Sequence, residues 1–139
     1  MPEVCVDASF GLKLVLGEPE RPRVRQQWEE WARSGLSIVA PWLWTFETHS
    51  VLRQTVVRGD VTDHRARAAW RLLQRQGVRI LHPEGVMDRA WELAGELNRP
   101  VTYDMVYVAL ADLRGCELWT ADQRLINAAG SRFQWIRSA

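Results

Sequence analysis

Side chains that bind zinc or form disulfides are scarce in this chain of 139 residues. The cysteines are Cys5 and Cys116, and the histidines are His49, His64 and His82. The two cysteines lie far apart and without metal-ligand spacing, so we interpret them as small apolar residues of strands and not as a disulfide. The scattered histidines argue against a zinc site.

An excess of charge and a long apolar run are also missing. Formal net charge is +1, which excludes nucleic-acid binding driven by bulk attraction. No apolar run is long enough to cross a bilayer, and no basic segment precedes an apolar core near the start, so we expect a cytoplasmic protein. The length and the 47% hydrophobic content predict one globular domain over residues 1–139.

Lysine is almost absent: Lys13 is the only lysine, and all other residues of the Lys+Arg total are arginines. Arginine offers a bidentate fork for phosphate, although genome base composition explains the same bias. Tryptophan is abundant, with eight residues spread along the chain. We interpret most of them as core or interface anchors and not as base-stacking platforms.

Short apolar runs alternate with helical patterns along the whole chain. The predicted strands are 3–6, 36–40, 78–81, 117–120 and 133–137, and the predicted helices are 9–17, 20–33, 43–58, 62–76, 84–97, 103–114 and 122–129. This alternation predicts an α/β sandwich around a mostly parallel sheet of four to five strands with right-handed crossovers.

Two of the helices carry particular expectations. The helix 103–114 is apolar nearly all round and should be the most buried, with Thr102 as its N-cap. The helix 43–58 shows residues at spacings of three and four that predict its buried face: Leu43, Phe46, Glu47, Ser50, Val51, Gln54 and Val57.

Four acidic residues from distant parts of the chain are expected at one edge of the sheet. Asp7 follows the first strand, and Asp122 lies two residues after the fourth. Glu47 lies one turn inside the helix after the second strand, and Asp104 lies in the first turn of the helix before the fourth. In parallel sheets, the strand ends and the helix starts meet at the same edge, where sites form.

Four carboxylates in one pocket repel each other unless some are protonated or cations neutralise them. Oxygen ligands without histidine or thiolate favour Mg²⁺ or Mn²⁺. Each acid also has a structural explanation. Asp7 and Asp122 can cap helices, Asp104 can favour a helix dipole, and Glu47 can pair with an arginine further along its helix.

The four acids lie in motifs that together resemble a known family. The motifs are V-x-V-D-A-S-F from Val4, P-x-L-x-x-x-E from Pro41, T-Y-D-x-x-Y-x-A-L-A from Thr102 and L-x-T-A-D-x-x-L from Leu118. In this order, over the whole chain, they resemble the PIN-domain ribonucleases, and more narrowly the toxins of VapBC-type toxin–antitoxin pairs. The resemblance implies a PIN-like three-layer sandwich.

The resemblance also implies an activity and its residues. The activity is a Mg²⁺- or Mn²⁺-dependent endoribonuclease, and the expected partners are an RNA substrate, a second copy in a homodimer, and a small antitoxin that blocks the active site. The residues implied as catalytic and metal-binding are Asp7, Glu47, Asp104 and Asp122, with Ser9 and Thr120 supporting them by hydrogen bonds. Trp119 departs from the pattern, since such proteins usually carry a smaller residue there.

The mechanism we expect is in-line hydrolysis of a phosphodiester that leaves a 5′-phosphate and a 3′-hydroxyl. Candidate substrate-binding residues are Lys13, Arg53 and Arg58. Possible walls of an antitoxin groove are Trp28, Trp31, Trp42 and Trp44, for which a core role is an equal alternative.

Two other functions also explain acids at strand ends. A catalytically weak PIN-fold module could bind RNA, or use the acidic pocket to dock a partner's arginine, without turnover. A phosphate-accepting receiver domain usually needs a lysine near its fifth strand, whereas the only lysine here lies in the first helix.

Overall fold

Five strands form one parallel sheet in the computed structural model, which describes residues 2–17 and 22–138. They are β1 (Glu3–Val6), β2 (Ser37–Pro41), β3 (Arg79–Leu81), β4 (Glu117–Thr120) and β5 (Ile136–Ser138). Their order across the sheet is β3-β2-β1-β4-β5, and every neighbouring pair is parallel. The predicted α/β class with a mostly parallel sheet is confirmed.

Seven helices connect these strands in the described ranges. They are α1 (Ala8–Leu16), α2 (Arg23–Ser34), α3 (Leu43–Val57), α4 (Asp63–Gln74), α5 (Val86–Glu96), α6 (Tyr103–Arg114) and α7 (Gln123–Ala129). The chain reverses its direction across the sheet after β3, so right-handed crossovers put α1 to α4 on one face and α5 to α7 on the other. The packing agrees, because α1 contacts α2, α3 and α4 whereas α5 contacts α6. The result is three layers.

Helix α6 is the most buried helix, as its sequence predicts. Every residue from 105 to 111 is buried, and the helix packs against β1, β2 and β4. Thr102 is the N-cap of α6, as predicted, but its side chain makes no capping hydrogen bond because its backbone is already in the right-handed helical region. Only the Thr102 carbonyl takes part, accepting from the amide of Val106.

The predicted buried face of α3 is correct only in part, since Leu43 and Val51 are half-buried against the core but the other apolar members are exposed. The buried residues are Trp44, Thr48 and Leu52, whereas Phe46 and Val57 of the predicted face are 71% and 72% exposed. Thr48 is buried without cost because its hydroxyl donates to the Trp44 carbonyl at 2.7 Å. The exposed apolar residues of α3 therefore face away from the sheet.

Several boundaries also differ from the predictions. The last strand begins at Ile136 and not at 133, because the Ile136 amide closes a turn on the Phe133 carbonyl at 3.1 Å. Helix α2 begins at Arg23, and the predicted break at 18–19 and the predicted helix start at 20–21 lie outside the described residues. Cys5 is buried and Cys116 half-buried, both as free thiols.

Tryptophans of α2 and α3 belong to the core. Trp28, Trp31 and Trp44 are each about 95% buried. Phe10 of α1 stacks on Trp28 with ring centroids 6.0 Å apart, and Trp119 packs edge-on against Trp31 at 5.5 Å. The unusual Trp119 is thus accommodated by an aromatic cluster. No helix of the described ranges is long and apolar enough to cross a membrane.

Candidate functional site

The four predicted acids surround the carboxyl edge of the sheet, by which we mean the edge where the parallel strands end. Asp7 directly follows β1, and Asp122 lies just beyond β4 at the N-cap of α7. Glu47 lies in the second turn of α3, which starts at this edge after β2. Asp104 lies in the first turn of α6, which runs back from this edge to the start of β4. The strand order changes direction between β1 and β4, where parallel sheets form their crevice.

Asp7 is held by hydroxyls that the strand register brings beside it. Val6 pairs with Trp119, so Asp7 lies level with Thr120, and the Thr120 hydroxyl donates to Oδ2 of Asp7. The Ser9 hydroxyl donates to Oδ1 at 2.6 Å, and the Phe10 amide donates to the same oxygen at 3.0 Å. Asp7 is therefore also the N-cap of α1, and its capping explanation holds in part.

Capping does not explain the burial of Asp7. The residue is only 5% exposed, and in the described ranges no arginine or lysine pairs with it. Burial raises the pKa of the Asp7 carboxyl to about 6, although the three hydrogen bonds lower it, and the charge of Asp122 raises it further. Asp7 is thus a buried carboxyl whose charge no basic side chain of residues 2–17 and 22–138 neutralises.

Glu47 points into the same region and is held by a buried tyrosine. The Tyr107 hydroxyl donates to Oε1 of Glu47 at 3.1 Å across 60 positions of sequence. Burial raises the pKa of Glu47, and the charges of the other three acids raise it further, while the tyrosine hydrogen bond lowers it. Burial and the neighbouring Glu47 charge also raise the pKa of Tyr107, so the phenol stays a neutral donor. The charges of the other three acids therefore all reach Glu47, and the charge of Asp122 also reaches Asp7.

Asp104 has a basic neighbour in this structure. Arg99, in the connection between α5 and α6, approaches Oδ2 of Asp104 with its Nη2 at 3.4 Å. Both side chains are about one-third exposed, so the pair is only partly withdrawn from water. An exposed ion pair of this length contributes at most about 1 kcal/mol. The Asp104 carboxylate can therefore exchange this partner for another cation at low cost.

Asp122 serves as the N-cap of the last helix. Its Oδ1 accepts from the Arg124 amide at 2.9 Å, and the Arg124 side chain, 90% exposed, lies 3.8 Å away. Its own amide donates to the Thr120 hydroxyl at 3.0 Å, and that hydroxyl donates to Asp7. Asp122 thus caps α7 and is linked to the buried Asp7 carboxyl through the Thr120 hydroxyl.

The donor set suits a hard divalent cation, because it consists of carboxylates with no thiolate or histidine among them. Among the described residues, the hydrogen-bond donors to Asp7 and Glu47 are all neutral, so these two acids are the ones left for a cation to neutralise. The side chains do not close around a point, since the described ranges contain no group of three or more acids, histidines or cysteines arranged to hold one ion. The acids form an electrostatic cluster and not a preformed coordination sphere.

A model of the PIN domain family matches residues 4–131 of this chain. The chain belongs to the PIN domain family. It is also 36% identical over 125 residues to Ribonuclease VapC9 of Mycobacterium tuberculosis, covering 88% of this chain and 87% of that protein. Membership rests on the sequence and agrees with the strand order described above.

Solved structures share the fold of this PIN domain at low sequence identity. The VapBC2 complex of Rickettsia felis, bound to a DNA fragment from its promoter, matches 99% of this chain and 97% of its own with a TM-score of 0.71 and 10% identity. VapC20 of Mycobacterium tuberculosis, described as a sarcin-ricin loop cleaving toxin, matches 91% and 95% with a TM-score of 0.65 and 18% identity. The resemblance to PIN domains in fold is thus confirmed.

The candidate substrate-binding residues are spread over this PIN domain. Arg53 lies two turns beyond Glu47 on α3 and approaches Asp63 at 3.9 Å. Arg58, at the far end of α3, pairs with Asp60 at 3.2 Å, about 16 Å along the helix from Glu47. The structure does not bring these two side chains to the acids. Lys13 is exposed in the last turn of α1.

Sequence reasoning missed two residues of this site, Tyr107 and Arg99. Tyr107 lies three positions after Asp104, on the same side of α6, and that spacing could have indicated that it reaches the acids. Arg99 lies in the break before α6, where the sequence gives no direction for its side chain. Only the packing of α5 against α6 places it beside Asp104.

Proposed function

We propose that this PIN domain is a Mg²⁺- or Mn²⁺-dependent endoribonuclease and the toxin of a type II toxin–antitoxin system. The observation that carries the proposal is the buried Asp7, whose charge no basic residue of the described ranges neutralises, at a sheet edge where the charges of three acids also act on Glu47. The relatives named as VapC ribonucleases support RNA as the substrate.

The acids have separate roles in the reaction we propose. A divalent cation bound by Asp7, Asp104 and Asp122 would supply charge neutralisation on the scissile phosphate and a lower pKa for the attacking water. Glu47, whose pKa is already raised, accepts or positions the proton of that water. Tyr107 fixes the orientation of Glu47 by its hydrogen bond.

The hydroxyls beside Asp7 have a positioning role in this scheme. Ser9 and Thr120 donate to different oxygens of the Asp7 carboxyl, which fixes its plane. Ser9 also accepts from the amide of Ala121, and Thr120 accepts from the amide of Asp122. These hydrogen bonds should hold the Asp7 carboxyl and the backbone at Asp122 at a constant distance when a cation binds. The products expected from attack by water are a 5′-phosphate and a 3′-hydroxyl.

Cleavage of RNA with and without a chelator tests the enzymatic part. We expect activity with Mg²⁺ or Mn²⁺, loss of activity in EDTA, and recovery when the cation is restored in excess. Product ends should carry a 5′-phosphate, whereas a cyclic phosphate would indicate attack by the 2′-hydroxyl. Full activity in EDTA would contradict the proposal.

The toxin part has a separate test in cells. Expression of the chain should arrest growth, and Asp104→Asn should abolish the arrest at equal protein level. The partner we propose is a small antitoxin encoded beside it that covers the acids, consistent with the VapBC complexes that share the fold. Co-expression of the neighbouring short gene should relieve the arrest.

The homodimer we propose is checked by sedimentation of the purified chain.

A further inference from the structure

An exposed line of aromatic side chains begins at the carboxyl edge, next to the acids. Trp42, directly after β2, is 58% exposed and lies face to face with the His82 ring at 3.9 Å and an interplanar angle of 9°. Phe46, one turn further on α3, is 71% exposed. We call His82, Trp42 and Phe46 the aromatic strip.

The sheet register determines where the aromatic strip lies. Pro41 pairs with Leu81, so the residues that follow, Trp42 and His82, are neighbours at the ends of β2 and β3. Cys5 pairs with Val39, which puts Pro41 level with Asp7 on the next strand. Neighbouring strands are about 5 Å apart, so the backbone that carries Trp42 is close to the one that carries Asp7.

Neither helix capping nor core packing explains Trp42 at its position. It occupies the N-cap of α3, makes no capping hydrogen bond, and has none of the side chains that favour a helix start. Its ring is not part of the core, unlike that of Trp44 two residues later. Residues that break a local rule in this way concentrate at functional sites.

A positive charge continues the same face of α3. Arg53 lies eleven positions after Trp42, which is about three helical turns and about 16 Å along the same side. Its ion pair with Asp63 is long, at 3.9 Å, and both side chains are more than half exposed. Such a pair contributes little, so Arg53 is free to turn toward an anion.

We propose that a single-stranded part of the RNA substrate lies along this face, with a base stacked on the aromatic strip and a phosphate near Arg53. Single-stranded RNA is recognised by stacking of unpaired bases on aromatic rings and by basic groups along its backbone. The proposal rests on the proposed function, and it assigns Trp42 and Phe46 to substrate binding. It also restores Arg53 as a phosphate contact at a distance from the acids.

Equilibrium binding of short RNA by the full chain in EDTA tests the proposal without cleavage. The probes are a labelled single-stranded RNA of mixed sequence and the same strand with abasic positions. Trp42→Ala should weaken binding of the first probe by about 5- to 100-fold and leave the second nearly unchanged. Trp42→Phe should restore most of the affinity, which excludes misfolding as the cause.

Arg53→Gln should behave differently from the aromatic variants. It should weaken both probes equally and lower the salt dependence of log Kd by about 0.7, the value for one phosphate contact on a single strand. Trp91→Ala is the matched control, because Trp91 is 76% exposed on α5 and outside the strip. It should leave both probes unchanged.

The proposal fails if the wild-type protein binds neither probe, or if Trp42→Ala and Trp91→Ala lose RNA affinity to the same extent. It also fails if Trp42→Ala weakens binding of both probes equally, or if Trp42→Ala dissociates a dimer while RNA binding is retained. Dissociation of a dimer would assign the face to a protein interface.

Cleavage in Mg²⁺ separates failure of the aromatic strip from failure of the proposed function. If wild type and Trp42→Ala cut the mixed-sequence RNA equally well, the strip fails while the nuclease stands; if wild type binds but never cuts, the nuclease fails.

Discussion

The two ends of strand β1 carry acids in opposite situations. Glu3, at the amino end, receives two hydrogen bonds from Arg114 at 2.8 and 2.7 Å and has Arg79 at 3.5 Å. Its pKa is lowered, chiefly by the hydrogen bond from Arg114. Asp7, at the carboxyl end, is held by hydroxyls and one amide, and burial raises its pKa to about 6.

The difference shows which acid serves stability and which is available for a ligand. An acid that is hydrogen-bonded and paired stabilises the fold when ionised, whereas a buried acid without a cation destabilises it. Within the part of the chain that the structure describes, the same strand thus ends in an acid paired with arginines on one side and an acid without a basic partner on the other. The predictions below exchange or remove these charges.

The largest expected effect is on cleavage. Asp7→Asn should lower kcat/KM for RNA by at least about a hundredfold, because the cation that stabilises the transition state loses a ligand worth several kcal/mol. Glu3→Gln should leave kcat/KM unchanged, since Glu3 lies at the opposite edge of the sheet. Rates are compared at equal folded fraction, and a similar loss in both variants would refute the distinction.

The next largest effect is on the pH dependence of stability. In the metal-free protein, Asp7 binds its proton more tightly when folded, at about 6, than at its ordinary value of 3.8. Ionisation of Asp7 therefore lowers the free energy of unfolding as pH rises from about 3.8 to about 6, by roughly 3 kcal/mol in all, and the loss persists at higher pH. Asp7→Asn should remove this fall and be more stable than wild type at neutral pH in denaturant titrations. Equal pH profiles of stability for Asp7→Asn and wild type would contradict the assignment of a raised pKa to Asp7.

Glu3→Gln should show the reverse behaviour. Loss of the charge-assisted hydrogen bonds from the partly exposed Arg114 should lower the free energy of unfolding at neutral pH by at most about 1 kcal/mol. Because the pKa of Glu3 is lowered in the folded state, its contribution is present above the ordinary value of 4.5 and disappears as pH falls through the lowered value. Wild type and variant should therefore converge in acid, as measured by denaturant unfolding.

An effect of similar size concerns the tyrosine that holds Glu47. Tyr107→Phe should cost about 1 kcal/mol of stability. The hydrogen bond lowers the pKa of Glu47, so its removal should shift the acidic limb of the pH–rate profile upward. Tyr103→Phe, an exposed tyrosine of the same helix, is the control and should change neither quantity. An unshifted limb in Tyr107→Phe would mean that Glu47 does not act in the rate-limiting step.

The carboxyl-edge acids could be predicted from connectivity alone. Strand and helix order decide which ends meet, and this order follows from apolar runs and glycine or proline breaks that local sequence shows. Asp7, Glu47, Asp104 and Asp122 are all found around one edge for this reason. Their closeness to one another depends on the same topology.

The faces of α3 could not be predicted in the same way. The periodicity of apolar residues indicates a buried face only when the exposed face is polar. Here Phe46 and Val57 are exposed, and Thr48 is buried because its hydroxyl bonds to its own helix. Arg99 reaches Asp104 through the packing of α5 against α6, which no local pattern contains, whereas the spacing of Tyr107 from Asp104 was a local signal that sequence reasoning did not use.

The most direct test of the account is thermal unfolding of the chelated protein during titration with Mn²⁺ or Mg²⁺ at neutral pH. Wild type should be stabilised as the cation neutralises the carboxyl edge, because a ligand that binds only the folded state raises its stability. Asp7→Asn should start at a higher melting temperature and respond weakly, whereas Glu3→Gln should start lower and respond like wild type. Equal responses of Asp7→Asn and wild type, or no response of wild type, would contradict the claim that this edge is completed by a divalent cation.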